Sequence, residues 1–206
     1  MNERRALTAL RSDGAMHAAE IARKIGLSRT TTADILRGLV ESGLIQEYTP
    51  GESDSKRARS VFEAVSDLKV SLGIDIGSRF IRASVGNLSG QLLSHHFVAV
   101  KGQSLDAIRK DIKVAVQGAL KEAGYALSDV VSICVGTPGV INQRTGSVAI
   151  AGTVAALDGV NLSELIEKEY GITPIVENDV NVLTVAEQVA GYGRTSKNFA
   201  VVSVGM

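Results

Sequence analysis

Several short stretches of this chain carry side chains that could do chemistry. In Leu72-Gly73-Ile74-Asp75-Ile76-Gly77 the apolar residues alternate as in a strand, which ends on an aspartate beside a glycine. A carboxylate at a strand end can reach a hydrated metal ion, and the glycine lets a phosphate approach the backbone. Asp75 and Gly77 are therefore candidate phosphate-binding residues, set against the plainer reading of a turn. In Val176-Glu177-Asn178-Asp179-Val180-Asn181, Asn178 and Asp179 stand between a buried strand and a helix. Asp179 is placed to accept a hydroxyl proton during phosphoryl transfer, or both residues cap the helix; the two roles are compatible. Pro138-Gly139 reads either as a turn or as a loop that touches a ligand.

A second chemistry lies near the N-terminus. Ala18, Ile21, Ala22 and Ile25 follow helical spacing and stop at Gly26; after a tight turn, Thr32, Ile35, Leu36 and Leu39 repeat the spacing up to Gly43. Two helices joined by a glycine-containing turn form a helix-turn-helix. With the apolar set turned inward, the second helix, capped by Ser28, presents Arg29, Thr30, Thr31, Ala33, Asp34 and Arg37 outward, and those near its N-terminus are the ones that reach base edges in DNA. Leu44 to Tyr48 and Val61 to Val65 then read as a β-hairpin wing with Lys56, Arg57 and Arg59 at its tip, a basic tip that lies along phosphate. The competing reading is a helical bundle with a solvated basic loop.

The elements that must hold the first set of residues follow from periodicity. Val70 to Ile76, Phe80 to Val85 and Gln91 to Val100 read as a three-strand meander. A helix capped by Ser104 and ended by Gly124 comes next, with Leu105, Ile108, Ile112, Ala115, Val116 and Ala119 inward. A buried strand over Val130 to Gly136 follows, and a helix runs from Val180 to about Gly191. Meander, helix and strand describe a ribonuclease-H-like, actin-like half-domain, and no GxGxxG follows the first strand. The expected fold class is α/β: an N-terminal all-α winged helix-turn-helix over 1–66, then the first half of an actin-like ATPase domain over 70–206.

The chain resembles the ROK family of repressors, open reading frames and sugar kinases. The likeness runs from Ala6 to Met206 and rests on the winged helix, on Leu72 to Gly77, on Gly136-Thr137-Pro138-Gly139-Val140-Ile141 and on Val176 to Asn181. It implies that Asp75 and Gly77 belong to a first phosphate loop for ATP and magnesium. It also implies that Asn178 and Asp179 contact a sugar, with Asp179 as general base if kinase activity is retained; Gly139 is a further candidate sugar-binding residue if its loop is more than a turn. Two departures weigh against a kinase. Where the family's kinases continue as Gly-Gly-Thr-Lys, this chain has Gly77-Ser78-Arg79-Phe80, which adds bulk and changes charge where ATP would sit; and the tryptophan expected before Asp158 is missing. A strand over Phe199 to Val204 is expected, after which the family continues with a second phosphate loop, a zinc site and a second half-domain, so the chain reads as C-terminally truncated, without that zinc site.

Composition fits these readings. The 206 residues carry 22 basic and 22 acidic side chains, so the net charge is zero. Local charge decides phosphate affinity, and Met1 to Arg59 holds ten basic against eight acidic residues. No apolar run approaches the ~20 residues of a membrane span, and the N-terminus lacks a signal-peptide core, which places the chain in the cytoplasm. The single cysteine, Cys134, is expected as a buried thiol, and His17, His95 and His96 lack partners at zinc-ligand spacing. The expectation is a sugar-responsive regulator that binds double-stranded operator DNA as a homodimer and takes a sugar or sugar phosphate as effector. A sugar kinase, or a remnant that binds DNA constitutively, is the alternative.

Overall fold

The structure, a computed structural model, describes residues 1–49 and 60–203, and the chain divides into two units, Met1–Leu68 and Lys69–Met206. Both combine helices and strands, so the fold is α/β.

In the first unit, α1 (Asn2–Asp13), α2 (Ala18–Ile25) and α3 (Arg29–Glu41) enclose a core of Ala6, Ala9, Leu10, Ile21, Ile25, Leu36, Leu39 and Ile45. The turn between α2 and α3 depends on Gly26, whose φ of 68° is the left-handed conformation that lets α2 stop sharply. The Ser28 hydroxyl then accepts the Thr31 N–H at 3.1 Å and starts α3. Thr32, fully buried, donates its hydroxyl to the Ser28 carbonyl at 2.9 Å, so a polar residue on the inner face is satisfied. The wing strands β2 (Ile45–Tyr48) and β3 (Val61–Ala64) pair antiparallel, and β3 also pairs with β1 (Met16–His17), a two-residue strand too short to show a period in the sequence. Lys56, Arg57 and Arg59, expected at the wing tip, lie outside the described residues.

The second unit is built on five strands in the order β10-β7-β4-β5-β6. β4 (Val70–Ile76), β5 (Phe80–Asn87) and β6 (Leu92–Ala99) are the antiparallel meander; β7 (Val130–Thr137) runs parallel to β4, and β10 (Ile175–Asn178) parallel to β7. Successive side chains on a strand face opposite ways. Leu72, Ile74, Ile76, Ile81, Ala83 and Val85 bury one face beneath α4 (Leu105–Ala123), whose Ile108, Ile112, Ala115, Val116 and Ala119 complete the core. The alternate residues Gly73, Asp75, Arg82 and Ser84 face the other way. There α6 (Asp179–Ala190) packs over the strands, with Val182 3.6 Å from where a Cβ on Gly136 would stand, an ordinary van der Waals distance. The short hairpin β8 (Val140–Asn142) and β9 (Ser147–Ile150), then α5 (Leu162–Tyr170), connect β7 to β10.

One expectation is corrected. Residues 199–203 form no strand, and Val202 is 82% exposed. An apolar run becomes a strand only where another edge offers it hydrogen bonds, and none of the described strands pairs with this segment.

Candidate functional site

The open face of the second sheet and α6 enclose a cleft of about 480 Å³ lined by Asp75, Arg82, Ser84, His95, Cys134 and Asp179, among others. Its floor is set by register. Asp75 on β4 stands directly opposite Arg82 on β5, and the Arg82 guanidinium donates to Asp75 Oδ2 at 2.9 Å. The same guanidinium lies 5.6 Å from the centre of the Phe80 ring, a cation–π distance. Cys134, expected as a buried thiol, is half-buried on this floor; burial first, and then the Glu177 charge, push its thiol pKa up and keep it un-ionised.

Gly77 is placed differently from Asp75. Its N–H donates to the Phe80 carbonyl at 3.0 Å, closing the β4–β5 turn, and it does not line the cleft. These facts bear on a magnesium-bound nucleotide. Magnesium is held by carboxylates of unneutralised charge together with phosphate oxygens, and the phosphates need free N–H donors. Here the carboxylate is matched by a guanidinium and the glycine N–H is consumed by the turn. Asp75 and the Gly77 N–H, the two groups expected to hold it, are therefore poorly matched to that group.

The remaining predicted ligand residues converge at the start of α6. Asn178 caps the helix: its Oδ1 accepts the N–H groups of Val180 at 2.9 Å and Asn181 at 3.4 Å. Its Nδ2 donates at 2.9 Å to the carbonyl of Gly139, 39 residues earlier in the chain. Gly139 can offer that carbonyl because its φ is 116° and it has no side chain; an added Cβ would lie 2.0 Å from the Ile150 carbonyl oxygen. Asp179, the first residue of α6, accepts the Val180 N–H at 2.9 Å and lines the cleft with Asp75. Glu177 ties the junction together, accepting from the Asn178 N–H at 2.7 Å, Asn181 Nδ2 at 2.9 Å and Gln143 Nε2 at 3.0 Å. The Asn181 hydrogen bond, ahead of those from Asn178 and Gln143, holds the Glu177 carboxyl below the usual glutamate range.

The structure thus joins Gly139 to Asn178 and brings Asp75 and Asp179 into one cleft, while Gly77 lies beside it, where an added Cβ would be 3.9 Å from the Arg82 guanidinium that holds Asp75. Arg82, His95 and Glu177 are additions. Arg82 was within reach of the sequence, since strand alternation across the Gly77 turn puts it on the side of Asp75.

On the first unit, Ser28, Arg29, Thr30, Thr31, Asp34 and Arg37 are all exposed, at the cap and on α3. Ser28 is occupied as the cap, and its Oγ also lies 2.8 Å from Thr31 Oγ1. Arg37 is partly held by Asp34 at 3.3 Å, one turn away. Arg29, in no ion pair among the described residues, borders a hollow of about 470 Å³ with His17, Glu47 and Phe62, where α2, α3 and the wing meet. No helix among the described residues is long and apolar enough to cross a membrane.

Comparison with known proteins gives two family matches: the ROK family over residues 71–206 and a winged helix-turn-helix DNA-binding family over residues 2–46. A provisional xylose repressor of Caldicellulosiruptor sp. (strain Rt8B.4) is 25% identical over 190 residues, covering 91% of this chain and 47% of the repressor. A beta-glucoside kinase of Listeria monocytogenes is 28% identical over 131 residues, 64% of this chain and 42% of the kinase. The crystal structure of a ROK family transcriptional regulator, a homolog of the E. coli MLC protein, superposes with a TM-score of 0.71 at 20% identity, covering 92% of this chain and 48% of that one. The last likeness shows the fold. The chain spans about half the length of the curated relatives it matches.

Proposed function

The chain belongs to the ROK family, and from that premise we propose that it is a sugar-responsive, DNA-binding transcriptional regulator, a repressor rather than an enzyme. The observation that carries this is the exposed reading side of α3, capped and braced as a complete helix-turn-helix, in the same chain as a sugar-kinase-like cleft. In this reading α3 enters the major groove, and Arg29, Thr30 and Thr31, at its N-terminal end, meet base edges. Arg37, Lys56 and Arg57 add phosphate contacts, which set affinity and register. Operator binding as a homodimer spaces two half-sites about 34–36 Å apart.

The effector is a sugar held where Asn178, Asp179 and the Gly139 loop converge. Asp179 accepts a sugar hydroxyl. Asn178, with its oxygen and one N–H already used, positions the loop and has one N–H left to donate. ATP has no part in this reading, since Asp75 is paired with Arg82 and the Gly77 N–H is closed into its turn. The kinase relatives favour catalysis in this cleft; the Asp75–Arg82 pair and the closed Gly77 turn favour sensing.

Operator affinity measured by fluorescence anisotropy during titration with a panel of monosaccharides and their phosphates tests the reading. At least one is expected to change the Kd about fivefold or more, the lower end of ordinary allosteric coupling. Unchanged affinity across the panel would leave a constitutive DNA binder, and ATP turnover with a hexose, lost in Asp179→Asn, would make the chain a kinase.

A further inference from the structure

The Asp75 carboxylate lies in a row of side chains that crosses three strands. Arg82 is its direct partner on β5, and Phe97 on β6 is the direct partner of Arg82. The guanidinium reaches Asp75 on one side and lies against Phe80, whose ring meets Phe97 edge-on at 5.8 Å. Arg82 is therefore braced by the Phe80 ring, which Phe97 backs in turn, and aimed at one carboxylate. Arginine stays protonated at every relevant pH and is weakly hydrated, so it suits a permanent internal counter-charge better than a lysine would.

From this geometry we infer that Arg82 is a built-in substitute for a divalent cation at Asp75, and that the cleft takes its ligand without metal. A hydrated magnesium ion approaching Asp75 meets a carboxylate already neutralised, and meets the guanidinium itself at close range. Such a pair offers a divalent cation no net charge to bind and competes with it for the carboxylate. A neutral polyol pays no such penalty, since the guanidinium keeps N–H donors and Asp75 keeps its second oxygen for hydroxyl groups. Arg82 is thus a specificity-determining residue: it selects an uncharged sugar over a metal-bound nucleotide. The choice of ligand rests on the sugar-sensing reading above, whereas the exclusion of the cation stands without it.

Manganese, a paramagnetic stand-in for magnesium, tests the exclusion with no sugar or DNA present. Binding is read on the whole chain by water-proton relaxation and by electron paramagnetic resonance. Wild type and Asp75→Asn are expected to bind manganese equally weakly. Arg82→Gln, which keeps length and hydrogen bonding without charge, is expected to gain at least tenfold in affinity and to lose the gain when Asp75→Asn is added. Arg82→Lys, which retains a positive charge, is expected to match wild type. Thermal melting checks that each variant is folded, and Arg82→Ala replaces Arg82→Gln if the latter is not. The inference is overturned if wild type binds manganese in a manner that Asp75→Asn abolishes, or if a folded, uncharged Arg82 variant gains nothing. Neither result would touch operator binding, so this failure is separable from failure of the regulator reading.

Discussion

Gly139→Ala is the sharpest structural perturbation at the candidate sugar site. Two costs arise, and they can be separated. The first is conformational: a φ of 116° is strained for any residue with a Cβ, a penalty of about 1–2 kcal/mol. The second is steric. The new Cβ would stand 2.0 Å from the Ile150 carbonyl oxygen, and 3.1 and 3.2 Å from the backbone carbons of Ile150 and Ala151. These are backbone atoms of or beside β9, so no rotamer change relieves the overlap, and about 1–3 kcal/mol of overpacking cost follows. Together they come to about 3 kcal/mol. At roughly 2–4 °C per kcal/mol for a chain of this size, the melting temperature should fall by about 6–12 °C. Gly159→Ala supplies the control: its φ is 72°, but nothing lies within 4 Å of the added Cβ. It bears the conformational cost alone, about 1–2 kcal/mol. Differential scanning calorimetry of both variants reads the difference. Equal shifts for the two would refute the close approach of the Gly139 loop to β9, and with it the placement of the carbonyl that Asn178 holds.

Three further outcomes are expected. Ser28→Ala removes the hydroxyl that accepts the Thr31 N–H and should cost about 1 kcal/mol in denaturant titration, with operator affinity falling as the first turn of α3 frays. Leu36→Ala empties a fully buried position between α3 and its neighbours and should cost about 2–5 kcal/mol in the same titration. Glu177, with its carboxyl lowered from 4.5 by Asn181, Asn178 and Gln143, contributes stability that is present above pH 4.5 and is lost as pH falls through its folded value. The melting temperatures of wild type and Glu177→Gln should therefore differ more at pH 7 than at pH 3.

What could be read directly from the sequence was what repeats locally. Thr32, Leu36 and Leu39 at helical spacing, between a Ser28 cap and Gly43, define α3, and they are the residues its inner face buries. The alternation of Leu72, Ile74 and Ile76, and of Ile81, Ala83 and Val85, likewise gives β4 and β5 with the correct faces. α1 was not legible because its buried stripe, Ala6, Ala9 and Leu10, holds one large apolar residue beside two alanines, and its burial depends on Ile21 and Ile25 arriving from α2. The site was only half legible. Asn178 and Asp179 announce a helix start, yet nothing local says that the Asn178 amide will rest on Gly139, because that contact spans 39 residues and depends on β10 pairing with β7. The Asp75–Arg82 pair depends on the register of β4 against β5, which the turn at Gly77 fixes. Residues 199–203 show the converse: apolar pattern alone, without an edge to join, leaves no strand.

DNA recognition by α3 is measured most directly by selecting bound duplexes from a random-sequence library. Anisotropy on the selected duplex then follows at increasing salt, for wild type and for Arg29→Ala and Arg37→Ala. A preferred sequence should emerge, with affinity falling steeply as salt rises, because phosphate neutralisation releases counterions. Arg29→Ala should relax the preference at a base position and cost about 1–3 kcal/mol, whereas Arg37→Ala, its charge already shared with Asp34, should weaken all sequences alike and lower the salt slope by about one. Enrichment of no sequence at low salt, with the variants indistinguishable from wild type, would contradict the assignment of this helix as a DNA reader.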